Sequence, residues 1–124
     1  MNDRFAVCII VTNQSGVLTR ISSLFSQRGF NIDTFTSGET ENPSYARITI
    51  TASGDERKKD QLIKQISKLY DVKKVEVMQP ENTILRELMI VKISATGEKL
   101  REVLDAASVF RSKVVDMSPG SVSV

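Results

Sequence analysis

Two amphipathic stripes with the same internal spacing, set among strand-length apolar runs in the order β-α-β-β-α-β, predict an α+β fold. That fold is a four-stranded antiparallel sheet with two helices on one face. The pattern restarts after a polar segment containing Pro80 and then stops short, which predicts a second, incomplete α+β unit.

The first strand is Arg4 to Val11 (RFAVCIIV), apolar at both parities, with Phe5, Val7, Ile9 and Val11 on one side and Ala6, Cys8 and Ile10 on the other. A strand with one wet face alternates, so this one is expected to be covered twice, by helices and by a second chain or domain. The first helix is expected over 16–28, with Val17, Leu18, Ile21, Leu24 and Phe25 on one stripe, Ser15 or Asn13 as its cap and Gly29 as a left-handed stop. Phe30 to Thr40 is a less apolar strand, nearer a sheet edge. Glu41-Asn42-Pro43-Ser44 turns the chain into Tyr45 to Thr51, where Ala46, Ile48 and Ile50 point inward against Arg47, Thr49 and Thr51, completing a hairpin. Ser53-Gly54-Asp55 caps a second helix whose stripe, Leu62, Ile63, Ile66, Leu69 and Tyr70, repeats the spacing of the first. The charged run Asp55 to Asp60 is its solvated face. Val72 to Met78 supplies the fourth strand, and the whole order is that of a ferredoxin-like open sandwich.

Gln79-Pro80-Glu81-Asn82-Thr83 reads as a linker, which divides the chain into a first domain over 1–79, a connection over 80–83 and a second unit over 84–124. The second unit offers Leu85 to Ala95 as a strand, 97–110 as a helix with Leu100, Val103, Leu104 and Ala107 on its stripe, and Val114 to Met117 as another strand. Ser121 to Val124 begins to alternate like one more. At about 40 residues this unit is near the size below which a domain seldom folds unaided, so it is expected to dock on the first domain or a partner, or to be a truncated piece.

The composition narrows the function. In 124 residues, 40% are hydrophobic and 26% charged, an ordinary globular balance. Seventeen basic and 15 acidic residues are mixed along the chain for a net charge of +2, with no basic stripe and no interleaved aromatics, so nucleic acid is not an expected partner. An RNA-binding module of the same strand order needs paired aromatics on its third strand, where only Tyr45 stands. No apolar run is long enough to span a membrane, and the polar start Met1-Asn2-Asp3-Arg4 does not read as a signal peptide. A single thiol, Cys8, excludes a disulfide framework and fits a cytoplasmic protein. With no His there is no base to activate Cys8, no paired carboxylates for acid–base work and no ligand set for a metal; Asp33 and Glu39 share a strand and face water. No catalytic and no metal-binding residue is expected.

What remains is Val11 to Asp33, where a strand ends in Asn13-Gln14-Ser15-Gly16 and opens directly into a helix. Such a turn leaves backbone N–H groups aimed at one spot, where the helix dipole adds partial positive charge. It suits a small anion, and the chain reads as a sensor rather than a catalyst.

The segments Asn13-Gln14-Ser15-Gly16-Val17-Leu18 and Leu24-Phe25-Ser26-Gln27-Arg28-Gly29-Phe30-Asn31-Ile32 resemble the ACT domain of the small, regulatory subunits of acetolactate synthase (acetohydroxyacid synthase). Arg86 to Ile93 (RELMIVKI) and Phe110 to Asp116 resemble the second domain of the same family, which normally continues well past the end of this chain. The resemblance implies a non-catalytic protein that activates a thiamine-diphosphate-dependent catalytic large subunit and confers feedback inhibition by a branched-chain amino acid, usually valine. It implies a homodimer in which two ACT domains pair side by side. It also implies no cofactor in this chain, with thiamine diphosphate, Mg and FAD expected on the catalytic partner. Carried over, the effector site falls on Asn13, Gly16, Val17 and Leu18 of one chain, with Asn31 and Ile32 from the facing chain; Gln14 departs from the acidic residue often found there.

The chemistry of these residues fits an α-amino acid. The Gly16 and Val17 amides suit its carboxylate, Asn13 and Asn31 can serve both its carboxylate and its ammonium, and Leu18 and Ile32 can line a side-chain pocket. The alternative within this reading is a free-standing ACT sensor that controls another enzyme.

Overall fold

The computed structural model of the chain describes residues 3–124. Its contacts divide the chain into two units, one ending at Ile84 and the other spanning Leu85–Val124.

In the first unit β1 (Asp3–Thr12), α1 (Val17–Gln27), β2 (Asn31–Glu39), β3 (Tyr45–Gly54), α2 (Glu56–Ser67) and β4 (Val72–Met78) follow the expected order. The four strands form one antiparallel sheet in the order β2-β3-β1-β4, so β2 is an edge strand and β1 is central. This is the ferredoxin-like ACT architecture.

The odd-numbered residues of β1 make the core. Val7, Ile9 and Val11 are fully buried beneath Val17, Ile21 and Phe25 of α1 and Leu62 and Ile66 of α2, together with Ile48, Ile50 and Ala52 of β3. The same parity rule that puts these residues on one face puts Ala6, Cys8 and Ile10 on the other.

The second face is buried differently from the sequence expectation. Ala6 and Cys8 are short side chains on a central strand, flanked in register by Thr51 and Met78 and by Thr49 and Glu76, and both are buried. Neighbouring strands shade these two, whereas Ile10 on the same face stays partly exposed.

Aromatic packing closes one end of the core. The Phe30 ring meets Phe5 edge-on at 5.6 Å and Phe25 at 6.3 Å. It also lies against the backbone of Gly54, where an added Cβ would stand 2.1 Å from the ring. Gly54 is therefore the residue that lets this aromatic cluster sit against the end of β3.

Local expectations fail where an element ends. Tyr70 continues the helical spacing of α2, yet α2 stops at Ser67 and Tyr70 is 93% exposed. The backbone N–H of Leu69 donates to Ile66 and that of Val72 to Leu69, so the chain turns there and leaves the helical frame. Neither Ser15 nor Asn13 caps α1; Gly16 is the N-cap, with no side-chain hydrogen bond. Asp55 does cap α2, accepting from the Arg57 N–H at 3.0 Å.

A single 3-10 turn at Pro80–Asn82 precedes the second unit. That unit holds β5 (Lys92–Ser94), α3 (Glu98–Val109), β6 (Asp116–Ser118) and β7 (Ser121–Ser123), with the strands in the antiparallel order β5-β7-β6. Val122 of β7 is fully buried and Ala107 of α3 nearly so. The strand expected over Leu85 to Ala95 is realised only over three residues, because the stretch from Leu85 to Ile90 finds no strand to pair with among the described residues.

Gly54→Ala is expected to destabilise the first unit by about 1–3 kcal/mol, since the new methyl must displace the Phe30 ring from a packed cluster. Urea unfolding followed by far-UV circular dichroism measures the change.

Candidate functional site

The turn between β1 and α1 is built by termination of the sheet. The Thr12 N–H donates to Asp71 at 2.8 Å and the Asn13 N–H to Ser44 at 2.9 Å, after which the chain leaves the strand direction. Gly16 then adopts φ 84°, in the left-handed region, and starts α1. A side chain is strained at that angle by about 1–2 kcal/mol. No crowding adds to it, because a Cβ there would have only Arg20 Nη1 within 4 Å, at 3.8 Å.

The helix mouth is firmly held. Arg20, one turn into α1, forms an ion pair with Asp71, and the Asp71 carboxylate also accepts from the Thr12 hydroxyl at 3.2 Å. Helical side chains lean toward the N-terminus, so this arginine lies beside Gly16 as well as Asp71. Periodicity gives no sign of this pair, which joins residues 51 positions apart.

Of the expected site residues, four surround this turn. Asn13 is exposed and its Nδ2 donates to the Pro43 carbonyl at 3.0 Å, with Glu39 at 3.5 Å, which turns its amide nitrogen toward the β2–β3 loop and away from the helix. Gly16 is exposed, and its carbonyl accepts from Arg20 as the first helical bond. Val17 is only 2% exposed and belongs to the core, so its contribution to a ligand is limited to its backbone N–H. Leu18 is 43% exposed and its side chain is free to contact a ligand.

Asn31 and Ile32 lie elsewhere. They open β2, pairing with Ser53 and Ala52, whereas the other end of β2, at Glu39, is the one beside Asn13. Asn31 is exposed; Ile32 is half-buried and packs against the core from the helix face. Asn31 and Glu39 are the two ends of this nine-residue strand, and at roughly 3.3 Å per residue its length sets the two halves of the expected site about 26 Å apart within one chain.

Comparison with known proteins identifies the family. Residues 7–74 match the family model described as the AHAS small subunit-like ACT domain, and residues 86–124 match the model for the small subunit of acetolactate synthase. The chain belongs to the acetolactate synthase small-subunit family. It is 43% identical over 123 residues to the probable acetolactate synthase small subunit of Methanothermobacter thermautotrophicus, covering 98% of this chain and 73% of that one. It is 38% identical over 121 residues to the isozyme 3 small subunit of Escherichia coli, covering 98% and 74%. Among solved structures, the acetolactate synthase small subunit of Thermotoga maritima superposes with a TM-score of 0.81 at 31% identity, over 98% of this chain and 76% of that one. The ACT domain of the Chlorobium tepidum GTP pyrophosphokinase, at 16% identity and a TM-score of 0.55 over 63% of this chain and all of that one, shares the fold of the first unit.

The family match is consistent with a regulatory subunit that carries an ACT domain as its first unit. Among the described residues no cluster of His, Cys, Asp and Glu could hold a metal ion, and no helix is long and apolar enough to cross a membrane.

Gly16→Ala is expected to lower stability by about 1–2 kcal/mol through the left-handed φ alone. Gly29→Ala, also at positive φ with open space around it, is expected to cost a similar amount. Thermal unfolding of both variants checks the two together, and a far larger loss at Gly16 would show that packing rather than backbone strain governs that turn.

Proposed function

We propose that this chain is the regulatory partner of a thiamine-diphosphate-dependent acetolactate synthase, a cytoplasmic transferase. It raises the activity of the large catalytic subunit and transmits feedback inhibition by valine or another branched-chain amino acid. Thiamine diphosphate, Mg and FAD belong to the catalytic partner.

The separation of the two half-sites is the observation that carries the effector reading. β2 is an edge strand with unpaired backbone groups, and a second copy that pairs with it antiparallel lays the start of one β2 beside the end of the other. That pairing brings Asn31 and Ile32 of one chain to the Asn13–Leu18 turn of its partner, twice per dimer. The exposed rings and side chains near this edge, Phe35 and Leu18, supply apolar surface for the contact.

In that crevice the Gly16 and Val17 amides receive the effector carboxylate, the Asn13 and Asn31 carboxamides accept from its ammonium, and Leu18 and Ile32 bound its side chain. An effector held between two chains stabilises one arrangement of the dimer over another. Coupling of this kind is typically 1–3 kcal/mol, a 5- to 150-fold shift in affinity, and it is reciprocal between effector and catalytic subunit.

Reconstitution with a purified acetolactate synthase large subunit tests the partner: acetolactate formation is expected to rise on addition of this chain and to fall again with valine. Gly16→Asp is expected to abolish the valine response while activation persists, because aspartate tolerates the left-handed region yet sets a carboxylate against that of the effector. The cross-chain site has its own test. Asn13→Ala and Asn31→Ala homodimers are each expected to bind valine weakly in calorimetry. Mixed heterodimers, in which one site carries both substitutions and the other neither, are expected to recover one full-affinity site per dimer. Absence of that recovery excludes a site shared between chains.

A further inference from the structure

The strand register places an unpaired carboxylate beside the candidate effector site. Glu39 ends β2 and pairs with Ala46 of β3, which pairs in turn with Val11 of β1. Residues in register across a sheet share a face, and Ala46 and Val11 both belong to the core beneath the helices. Glu39 is therefore set on the helix face at the open edge of the sheet, the side on which α1 begins. It is exposed there, and among the described residues no lysine or arginine forms an ion pair with it. The Asn13–Leu18 turn has no ionisable side chain of its own, and Arg20 beside it is already paired with Asp71.

The neighbours of Asn13 fix which way its carboxamide faces. Pro43 offers a carbonyl oxygen and Glu39 a carboxylate, both acceptors only, so the group turned toward them is the NH2. Nδ2 donates to Pro43 at 3.0 Å and lies 3.5 Å from a Glu39 oxygen. A flip of the carboxamide sets Oδ1 against two acceptors. With its nitrogen engaged, Asn13 has only Oδ1 left for a ligand, and that oxygen accepts. The sequence allows Asn13 to serve either end of an amino acid; its surroundings narrow it to the ammonium, with the Glu39 charge on the same side.

We propose that Glu39 is a specificity-determining residue of the effector site, whose carboxylate meets the ammonium of an α-amino acid and selects it over the 2-oxo acid of the same carbon skeleton. This rests on the effector reading given above and adds to it the residue that discriminates. A 2-oxo acid presents the same carboxylate and the same branched side chain, so the α1 amides and Leu18 do not tell the two apart. The difference falls at the α-carbon. An ammonium there donates to Asn13 Oδ1 and to Glu39, whereas a carbonyl oxygen faces two acceptors and leaves both without a donor. A site built to pair a donor rejects the analogue that lacks it more strongly than an apolar pocket rejects a change of one methylene.

Isothermal titration of the 124-residue chain with L-valine, L-leucine and L-isoleucine, and with the 2-oxo acid of each, tests the assignment. At least one of the amino acids is expected to bind about tenfold or more tighter than its 2-oxo acid. Glu39→Gln keeps an oxygen that can accept from Asn13 Nδ2 and removes only the charge. It is expected to weaken that amino acid by about three- to tenfold, to leave the 2-oxo acid bound at least as well as before, and to leave thermal unfolding unchanged. Glu39→Asp, which keeps the charge, is expected to retain a larger share of the preference. A ratio of the two affinities that Glu39→Gln leaves unchanged, whether both hold or both fall together, overturns the role of Glu39 and leaves the effector reading standing. Equal affinity of the unsubstituted chain for an amino acid and its 2-oxo acid does the same. A chain that binds none of the three amino acids overturns both.

Discussion

The point at which β1 stops governs the first unit. Its odd-numbered side chains can be buried only if both helices lie on one face, and α1 can return across that face only if the chain reverses within the few residues after Thr12. Backbone bonds from Thr12 to Asp71 and from Asn13 to Ser44 end the pairing on both flanks of β1, and Gly16 makes the reversal with a backbone angle that other residues adopt only under strain. The same reversal puts Val17, Ile21 and Phe25 into the core and leaves the first amides of α1 facing outward. On the effector site proposed above, stability and ligand reception become consequences of one turn, and the core side chain of Val17 pins the amide that would receive a carboxylate.

An antiparallel sheet with β2 on its edge also fixes the distance between the two halves of the candidate site. Within one chain no rearrangement short of unfolding brings Asn31 to Gly16, because β2 is held along its length by β3. In the dimer proposed above, association through the free edge of β2 brings the two halves together across chains. On that proposal, an effector bound between two copies would bias how they are arranged, the kind of change a regulatory subunit could pass to a partner enzyme.

Much of this was readable in the sequence, for physical reasons that also mark its limits. Val72 to Met78 could be bounded to the residue because it lies between a turn and a proline-containing segment, and β2 could be placed at an edge because its composition is poor in apolar residues. The helix stripes gave the buried face of α1 and α2, since burial follows the 3.6-residue period. Periodicity does not announce where a helix stops, so Tyr70 was placed on a stripe that had already ended. Nor does it reveal contacts between distant segments: the Asn13 carboxamide was expected to cap a helix or await a ligand, and instead donates to Pro43 across the sheet end. The Arg20–Asp71 pair was invisible for the same reason, although an arginine one turn after a glycine cap points back over the turn by helical geometry.

Apolar composition has a comparable limit, illustrated at opposite ends of the chain. β1 and Leu88–Ile90 both carry apolar residues at two parities, and both were expected to lie in strands. In β1 the second parity includes two small residues, Ala6 and Cys8, which the flanking strands are enough to shade, while the longer Ile10 stays partly exposed. In Leu88–Ile90 the side chains are long, and no neighbouring strand is there to shade them. What separates the two is side-chain length relative to the strand spacing, together with whether both backbone edges are paired. Among the described residues, the backbone edges left open are β2 and β4 in the first sheet and β5 and β6 in the second.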